Sequence, residues 1–289
     1  MGWQDTSYRQ YHLKIKFLVH KSLQEKTTLK ILITNDDGIY AEGLWHIAKA
    51  LEGLGDIYVV APDRDMSGVG TAMTISSVLR TQEFPSYVEG VKSYVVQGTP
   101  SDSVILATEA MFDEPFDVLV SGINPGANLG LDVFGSGTVG AALQGYYRNI
   151  PSIAISSEYT NGMPVRYDVA ALVGRAAVNH LLNIETTKSL ILNLNLPDRN
   201  IEEVKGVQFT TLGPKAYMGK VEKETVGRRS HYWIKHHQPS KEDPKTGTDV
   251  WAIRAGQASI TIMNQIFGDE IETLNLFGLR DALNSAIKT

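Results

Sequence analysis

Two adjacent carboxylates, Asp36 and Asp37, follow directly on a short apolar segment near the beginning of the sequence. The segment, residues 31–33, is typical of a buried β-strand, and Gly38 after the acids permits a sharp turn. Side by side, two ionised acids repel each other and are costly to bury unless something positive lies close by. Since successive side chains of a strand point to opposite faces, both acids converge only where the strand has ended. The pattern predicts a turn that holds a cation at the end of a core strand.

Further oxygen donors follow neighbouring predicted strands. Ser67 lies in a polar segment after the second apolar run, and Asn124 follows a later one. Carboxylate, hydroxyl and amide oxygens are the ligands that Mg²⁺, Mn²⁺ or Ca²⁺ take in a partly hydrated shell. We therefore expect a divalent cation to be held by Asp36, Asp37, Ser67 and Asn124. The alternative is that Asp37 caps the helix that begins near Ala41, or braces the turn.

A glycine-rich segment, residues 134–145, has three interpretations. Gly135, Gly137 and Gly140 spell the dinucleotide fingerprint G-x-G-x-x-G, which would indicate an NAD-dependent oxidoreductase, although loop-type residues precede it where a strand is required. Alternatively, Ser136-Gly137-Thr138 at the start of an Ala-rich helix would offer N–H groups, hydroxyls and a positive dipole end to one phosphate. A plain helix start, with small residues for close packing, is the third.

Short apolar runs alternate with helical periodicity along most of the chain. The predicted strands are residues 30–34, 57–61, 94–97, 117–122, 152–156, 190–195 and 258–263. Apolar spacing also predicts helices that include Leu44, Ile47, Ala48 and Leu51, and Val169, Leu172, Val173 and Ala176. Strands without polar alternation, each followed by a helix, favour an α/β fold with a mostly parallel sheet covered on both faces. Ligands bind beyond the carboxyl ends of such strands, where four consecutive loops carry Gly with Asp, Ser, Asn or Thr.

The last third of the chain, residues 216–289, has a different pattern. Residues 220–226 and 230–236 flank a glycine and predict a β-hairpin arm. A returning strand and a final helix near 270–287 follow. An arm and a terminal helix that leave a compact body often form oligomer contacts, with a surface flap as the alternative.

Composition narrows the classes of function. The 289 residues carry a net charge of −5 and include no cysteine, which excludes disulfides, thiolate metal sites and cysteine nucleophiles. The acidic balance does not favour a stable nucleic-acid partner, and no segment approaches the roughly 18 apolar residues of a membrane helix. Residues 1–28 form a basic extension that does not resemble a secretory signal, and we expect no function for it. We expect a cytoplasmic location.

Taken together, these motifs resemble the SurE (survival protein E) family of metal-dependent nucleoside-monophosphate phosphatases. The matching segments, in order between residues 30 and 265, are ILITNDDGIYAEG, VVAPDRDMSGVG, VVQGTPSDSV, VLVSGINPGANLG, SGTVGAALQG and, more faintly, GTDVWAIRAGQASIT. The resemblance implies a Rossmann-like three-layer αβα sandwich with a hairpin arm and a swapped C-terminal helix that builds homodimers or homotetramers. It also implies cytoplasmic hydrolysis of nucleoside 5′- and 3′-monophosphates, and sometimes of polyphosphate, by residues 29–215.

The resemblance carries residue roles onto this chain. The family's metal ligands fall on the four residues selected above, with one Mg²⁺ or Mn²⁺ per subunit. The family's phosphate-side loop matches Asn128, Ser136, Gly137 and Thr138. Asp36 and Asp37 are the predicted catalytic residues, with Asp36 orienting a metal-activated water for in-line attack on phosphorus. Gly135 and Gln144 stand where the family usually has Tyr and Glu. We expect the replacement of Tyr by Gly135 to affect which substrates the protein prefers.

Other families also place acids after their first strand. Haloacid-dehalogenase-type phosphatases use D-x-D, whereas the acids here are adjacent. Phospho-receiver modules have adjacent acids, but they are far shorter than this chain and need an acceptor Asp and a later Lys. Zinc-dependent sugar deacetylases use H-P-D-D, and no His precedes Asp36. The NAD-dependent oxidoreductase built on Gly135–Gly140 is the main enzyme alternative, and the receiver-like module is the main non-catalytic one.

Overall fold

Alternating apolar strands and helices give a central sheet of nine strands in the computed structural model, which describes residues 28–160, 163–183, 190–214, 217–226, 229–239, 243–267 and 277–288. The strands of this sheet are β1 (Lys30–Thr34), β2 (Asp56–Pro62), β3 (Thr81–Glu83), β4 (Lys92–Val96), β5 (Val118–Pro125), β6 (Ser152–Ser157), β7 (Ile191–Leu196), β8 (Val207–Thr210) and β11 (Ala258–Ile262). A separate antiparallel hairpin consists of β9 (Tyr217–Val226) and β10 (Arg229–Pro239). The helices are α1 (Glu42–Ala50), α2 (Pro100–Leu106), α3 (Gly137–Tyr147), α4 (Tyr167–Asn183), α5 (Asp249–Arg254) and α6 (Phe277–Ile287).

The strand order across the central sheet is β3-β4-β2-β1-β5-β6-β7-β11-β8. All neighbouring pairs are parallel except β3 with β4 and β11 with β7. The carboxyl ends of β1, β2, β5 and β6 therefore meet at one edge. The chain progresses in opposite directions on the two sides of β1, so the boundary between β1 and β5 is the switch point where such folds bind ligands.

Alternating side chains of β1 build the two cores of the sandwich. Ile31 and Ile33 pack in one cluster with residues of α1, α4 and α6, whereas Leu32 packs with residues of α2 and α3. Because successive strand residues point to opposite faces, this division places one layer of helices on each side of the sheet. The predicted three-layer α/β fold is confirmed.

The structure contains all seven predicted strands, with ends that differ by at most three residues. The predicted inward stripe of α4 is wrong at Leu172, which is exposed. The buried face runs instead through Val169, Val173 and Ala177, and Gly174 lets Ile155 and Ile47 approach the helix closely. Within the described part of the chain, no helix is long and apolar enough to cross a membrane.

The predicted hairpin arm is also confirmed. The predicted turn at Gly227 lies outside the described residues, as do the extension at 1–27 and the part of the predicted last helix at 270–276. The domain boundary expected near residues 215–216 falls outside them too. The division into core, arm and extension therefore stays a prediction.

Candidate functional site

The turn after β1 is closed by Asn35. Its side-chain amide donates to the Gly38 carbonyl at 3.1 Å, and its oxygen accepts from the Gly38 N–H at 3.2 Å. Gly38 has φ +96°, and a Cβ there would lie 3.0 Å from the backbone of Arg64, so glycine is required. Ala41 is the N-cap of α1, with no side-chain cap bond. The alternative in which Asp37 caps this helix is therefore wrong.

Asp36 is held by the first residues of α3. It is 3% exposed, and the Thr138 hydroxyl donates to its Oδ1 at 2.6 Å. A Cβ on Gly137 would lie 2.7 Å from the Asp36 Cβ, so only glycine allows this approach. Burial raises the pKa of Asp36, while the hydroxyl and backbone N–H of Thr138 act in the opposite direction. The positive end of α3 is thus directed at a fixed carboxylate.

One carboxylate oxygen of Asp37 has no hydrogen-bond partner among the described residues. Its Oδ2 is buried and accepts no hydrogen bond from the part of the protein that the structure describes. Burial raises the pKa of Asp37 to about 8, and the charges of Asp36 and Asp65 add to this effect. A buried carboxylate oxygen without a donor, beside two further acids, is costly unless a cation compensates for it.

Ser67 lies in the loop after β2, which is tied to the Asp36 turn. The Met66 N–H donates to the Asp36 carbonyl at 2.7 Å. Ser67 donates to Asp65 Oδ1 through its backbone N–H at 2.7 Å and through its hydroxyl at 2.6 Å. With its proton directed at Asp65, the hydroxyl oxygen of Ser67 keeps lone pairs for a cation.

Asn124 lies near the end of β5, where the register with β6 shifts between Gly122 and Asn124. Its side-chain N–H donates to the Gly126 carbonyl at 2.6 Å, which leaves its Oδ1 as the side-chain atom with lone pairs for a cation. A donor set of carboxylate, hydroxyl and amide oxygens fits Mg²⁺ or Mn²⁺ with several waters. Among the described residues no group of three or more His, Asp or Glu is placed to hold a metal.

Asn128 forms a network at the ends of β6 and β7. Its side chain donates to Ser156 Oγ at 2.9 Å, and its N–H donates to Asn195 Oδ1 at 2.8 Å. Its carbonyl accepts from Asn193 at 2.8 Å and from Asn195 at 3.2 Å. Within the described part of the chain, the hydrogen bonds of Asn128 run to Ser156, Asn193 and Asn195 and not to the turn at 136–138, so its contact with phosphate stays a prediction.

Ser136 and the glycines of α3 have clear packing roles. Ser136 is the N-cap of α3, and its hydroxyl oxygen accepts from the Val139 N–H at 3.2 Å. A Cβ on Gly140 would lie 2.3 Å from the Gly70 carbonyl oxygen, so α3 lies directly against the Ser67 loop. Close packing therefore explains Gly137 and Gly140 by itself, but it does not require a glycine at position 135. In the phosphate interpretation the N-terminus of α3 also binds a phosphate, but the glycine spacing is no evidence for such binding.

The dinucleotide interpretation of this segment is not supported by its surroundings. Residues Gly130–Phe134, directly before the fingerprint, form a 3-10 helix. The fingerprint requires a strand at that place, because the strand positions the glycine turn under the pyrophosphate.

Sequence reasoning missed two acids. Asp65 was passed over, although it lies in the quoted segment VVAPDRDMSGVG and its charge acts on both Asp36 and Asp37. Asp249 is buried at the start of α5; its Oδ2 accepts from Gly130 N–H at 2.8 Å, and its Oδ1 accepts from Gly213 N–H at 2.7 Å. Asp249 lies in the segment GTDVWAIRAGQASIT, which matches the SurE pattern only faintly, and that match was the signal in the sequence that pointed to it.

A family model described as Survival protein SurE matches residues 31–219. The chain belongs to the SurE family. A protein named 5′-nucleotidase SurE from Dehalococcoides mccartyi (strain CBDB1) is 42% identical over 247 residues, which are 85% of this chain and 93% of that relative. One of the same name from Legionella pneumophila subsp. pneumophila (strain Philadelphia 1) is 41% identical over 235 residues, 81% of this chain and 90% of the relative.

The fold agrees with a solved SurE structure. The crystal structure of the SurE protein from Aquifex aeolicus matches with a TM-score of 0.68 and 34% sequence identity, covering 81% of this chain and 92% of that one.

Of the two departures from the usual SurE pattern, Gly135 has open space around it, since an added Cβ would meet only the Asp132 carbonyl at 3.7 Å. Gln144 is buried on α3, where its Oε1 accepts from Arg148 at 2.8 Å.

Proposed function

We propose that this protein is a 5′-nucleotidase, a phosphoric monoester hydrolase that converts nucleoside 5′-monophosphates into nucleoside and phosphate. Family membership and the names of its relatives support this activity. The observation that carries it is the buried, unpartnered Asp37 oxygen beside Asp36, at the switch point of the sheet and next to the start of α3. An acidic site at that place suits a cation and, through the cation, a phosphate ester.

We propose that Asp36, Asp37, Ser67 and Asn124 hold one Mg²⁺ or Mn²⁺. Asp65 supports this set because it fixes the Ser67 hydroxyl and adds negative charge. When bound, the ion supplies Lewis-acid polarisation of a phosphoryl oxygen and lowers the pKa of a water.

The chain's own groups have separate tasks in this proposal. Thr138 holds the Asp36 carboxylate in one orientation, so that Asp36 positions a water rather than attacking phosphorus itself. Ser136, Gly137 and Thr138 direct the positive end of α3 towards the substrate phosphate, with Asn128 on the same side. The reaction is then one in-line displacement by water without a phosphoenzyme. Retention of configuration at a chiral phosphorus would contradict that route.

The finer parts of the proposal follow from the family resemblance. They include hydrolysis of 3′-monophosphates and of short polyphosphate, a cytoplasmic location, and assembly into a homodimer or homotetramer through residues 216–289. The exposed apolar side chains of the hairpin arm support the assembly.

Phosphate release from a panel of esters tests the proposed function. With Mn²⁺ or Mg²⁺ present, we expect release from nucleoside 5′-monophosphates, and the panel also includes 3′-monophosphates and short polyphosphate. No release from any 5′-monophosphate would contradict the proposal. Binding of NAD in a parallel titration would instead support the dinucleotide interpretation.

A further inference from the structure

Tyr159 lies beside the amide that is proposed to hold the metal. It follows β6 by two residues, at the same sheet edge as the end of β5. A Cβ built on Gly126 would be 3.8 Å from the Tyr159 ring atom Cε1 and also 3.8 Å from Asn124 Nδ2. The ring and the Asn124 side chain therefore flank the same glycine. Gly126 has φ +120° and leaves the space between them free of a side chain.

The backbone on both sides of Tyr159 is anchored. The Glu158 N–H donates to the Leu196 carbonyl at 2.8 Å, and the Thr160 N–H donates to Asp198 Oδ2 at 2.9 Å. The side chain nevertheless is 43% exposed. An exposed aromatic ring on an anchored backbone segment offers an open face to a planar partner, and little backbone ordering is needed for binding.

A second observation relates both Tyr159 and Asp37 to the same neighbouring tyrosine, Tyr167. The pKa of Tyr167 is raised to about 12, first by burial and then by the charge of Asp37, with Glu42 and Tyr159 adding to the effect. Tyr159 and Asp37 thus both lie within electrostatic range of the Tyr167 hydroxyl. The geometry at Gly126 places the Tyr159 ring near Asn124, one of the residues that are proposed to hold the metal.

We propose that Tyr159 stacks on the nucleobase of the bound nucleotide and so gives nucleotides preference over phosphate esters without a base. This inference rests on the proposed nucleotidase function. Stacking on an aromatic face tolerates every base, because each base has a π-face. The resulting preference is for the presence of a base, with weak discrimination among bases.

Phe134 is the rival for this role and supplies a matched comparison. It is 62% exposed and lies two residues before Ser136, on the side of the site formed by the start of α3. Its carbonyl oxygen is close to Gly70 in the loop after β2, whereas Tyr159 borders the end of β5. Removing each ring in turn therefore asks which side of the site receives the base.

The test compares kcat/KM for AMP and for ribose 5-phosphate, with Mn²⁺ present, in the full chain and its Tyr159→Ala, Tyr159→Phe and Phe134→Ala variants. Base–aromatic stacking predicts that Tyr159→Ala lowers kcat/KM for AMP about tenfold or more, mainly through KM. Ribose 5-phosphate should be hydrolysed at an unchanged rate, which also shows that the variant is folded. Tyr159→Phe keeps the ring and should match the wild type.

Three results would overturn the inference. They are an unchanged rate with AMP in Tyr159→Ala, an equal loss with both esters, and a base-dependent loss in Phe134→Ala that Tyr159→Ala does not share. In each case the wild type still hydrolyses AMP and the proposed function stands. A wild type that releases phosphate from no nucleoside 5′-monophosphate would overturn the proposed function together with this inference.

Discussion

Gly137 brings the backbone of α3 into contact with the Asp36 carboxylate. Gly137→Ala would put a Cβ 2.7 Å from the Asp36 Cβ and 2.8 Å from its Oδ2, so the carboxylate must move. Since displacements of about 1 Å in a catalytic site cost up to a hundredfold in rate, we expect kcat/KM for AMP to fall at least about tenfold. Steady-state phosphate release measures the effect.

Gly135→Ala is the matched control for this change. Gly135 has an ordinary backbone conformation, φ −95°, and an added Cβ meets only the Asp132 carbonyl at 3.7 Å. This variant should keep the wild-type rate. Equal rates in the two alanine variants would show that Asp36 does not depend on the glycine contact.

The sequence alone predicts which residue types lie at the candidate site, but not the contacts between them. The residue types and the expected parallel sheet together predict two adjacent acids at one strand end. They also predict hydroxyl and amide groups at the neighbouring strand ends. The bond from Thr138 to Asp36 joins residues 102 positions apart in the chain, so no local pattern contained it. The effect of Asp65 on Asp37 depends on how the loop after β2 folds back, which local sequence does not determine.

Among the connecting elements, Asp249 links α5 to the segment that leads into α3. One of its oxygens accepts from Gly130, and the other accepts from Gly213 and Val250. Asp249→Asn replaces one oxygen with an NH₂ group and leaves at least one of these N–H groups without an acceptor. We expect a loss of about 1.5–3 kcal/mol in the free energy of unfolding, measured in urea. The same substitution at exposed Asp243 should change little, and equal stability of both variants would contradict this role.

Glu158, just after β6, provides a test by pH. Burial raises its pKa, and Asp198 adds repulsion while Arg199 and Arg254 offset part of it. Because the pKa of Glu158 is higher in the folded than in the unfolded state, ionisation of this group lowers the free energy of unfolding. The loss is complete at pH values above the folded pKa, and it disappears at pH values below the unfolded pKa of 4.5.

Glu158→Gln removes that cost. Urea unfolding should show the variant to be at least as stable as the wild type at pH 8, with an advantage that shrinks as the pH is lowered towards 4.5. Glu89 is exposed, so Glu89→Gln has no burial to relieve and serves as the control. A variant that is less stable than the wild type at pH 8 would show that the ionised group stabilises the fold.

The elements that sequence reasoning did not recognise were short or polar. β3 has three residues, all exposed, so it lacks an apolar pattern. The loop predicted after β4 begins α2 instead: Thr99 and Asp102 form a capping box, and Asp102 also accepts from the Thr74 hydroxyl at 2.6 Å. Serine and aspartate serve equally in caps and in binding loops, so their presence alone did not distinguish the two.

At the scale of the whole molecule, the hairpin arm exposes apolar side chains that no contact within the described part of one copy of the chain covers. Its described side chains include several exposed apolar or aromatic residues, namely Val221, Tyr232, Trp233 and Ile234. If the arm joins copies of the chain, replacing Trp233 and Ile234 with Glu should convert the dimer or tetramer into a monomer in sedimentation experiments. Ser230→Glu, a charge placed on the same exposed strand, is the control. An unchanged mass in the double variant would assign the arm to the surface of each copy.

The central claim is that the paired acids hold a divalent cation on which hydrolysis depends. Asp36, Asp37 and Asp65 bring three carboxyl groups together, and burial with the charges of its two neighbours raises the pKa of Asp37 to about 8. The most direct measurement is phosphate release from AMP by the full chain in excess chelator, and again after Mn²⁺ or Mg²⁺ is added back. The account predicts that chelation abolishes release and that either ion restores it. Full activity in excess chelator would contradict the claim.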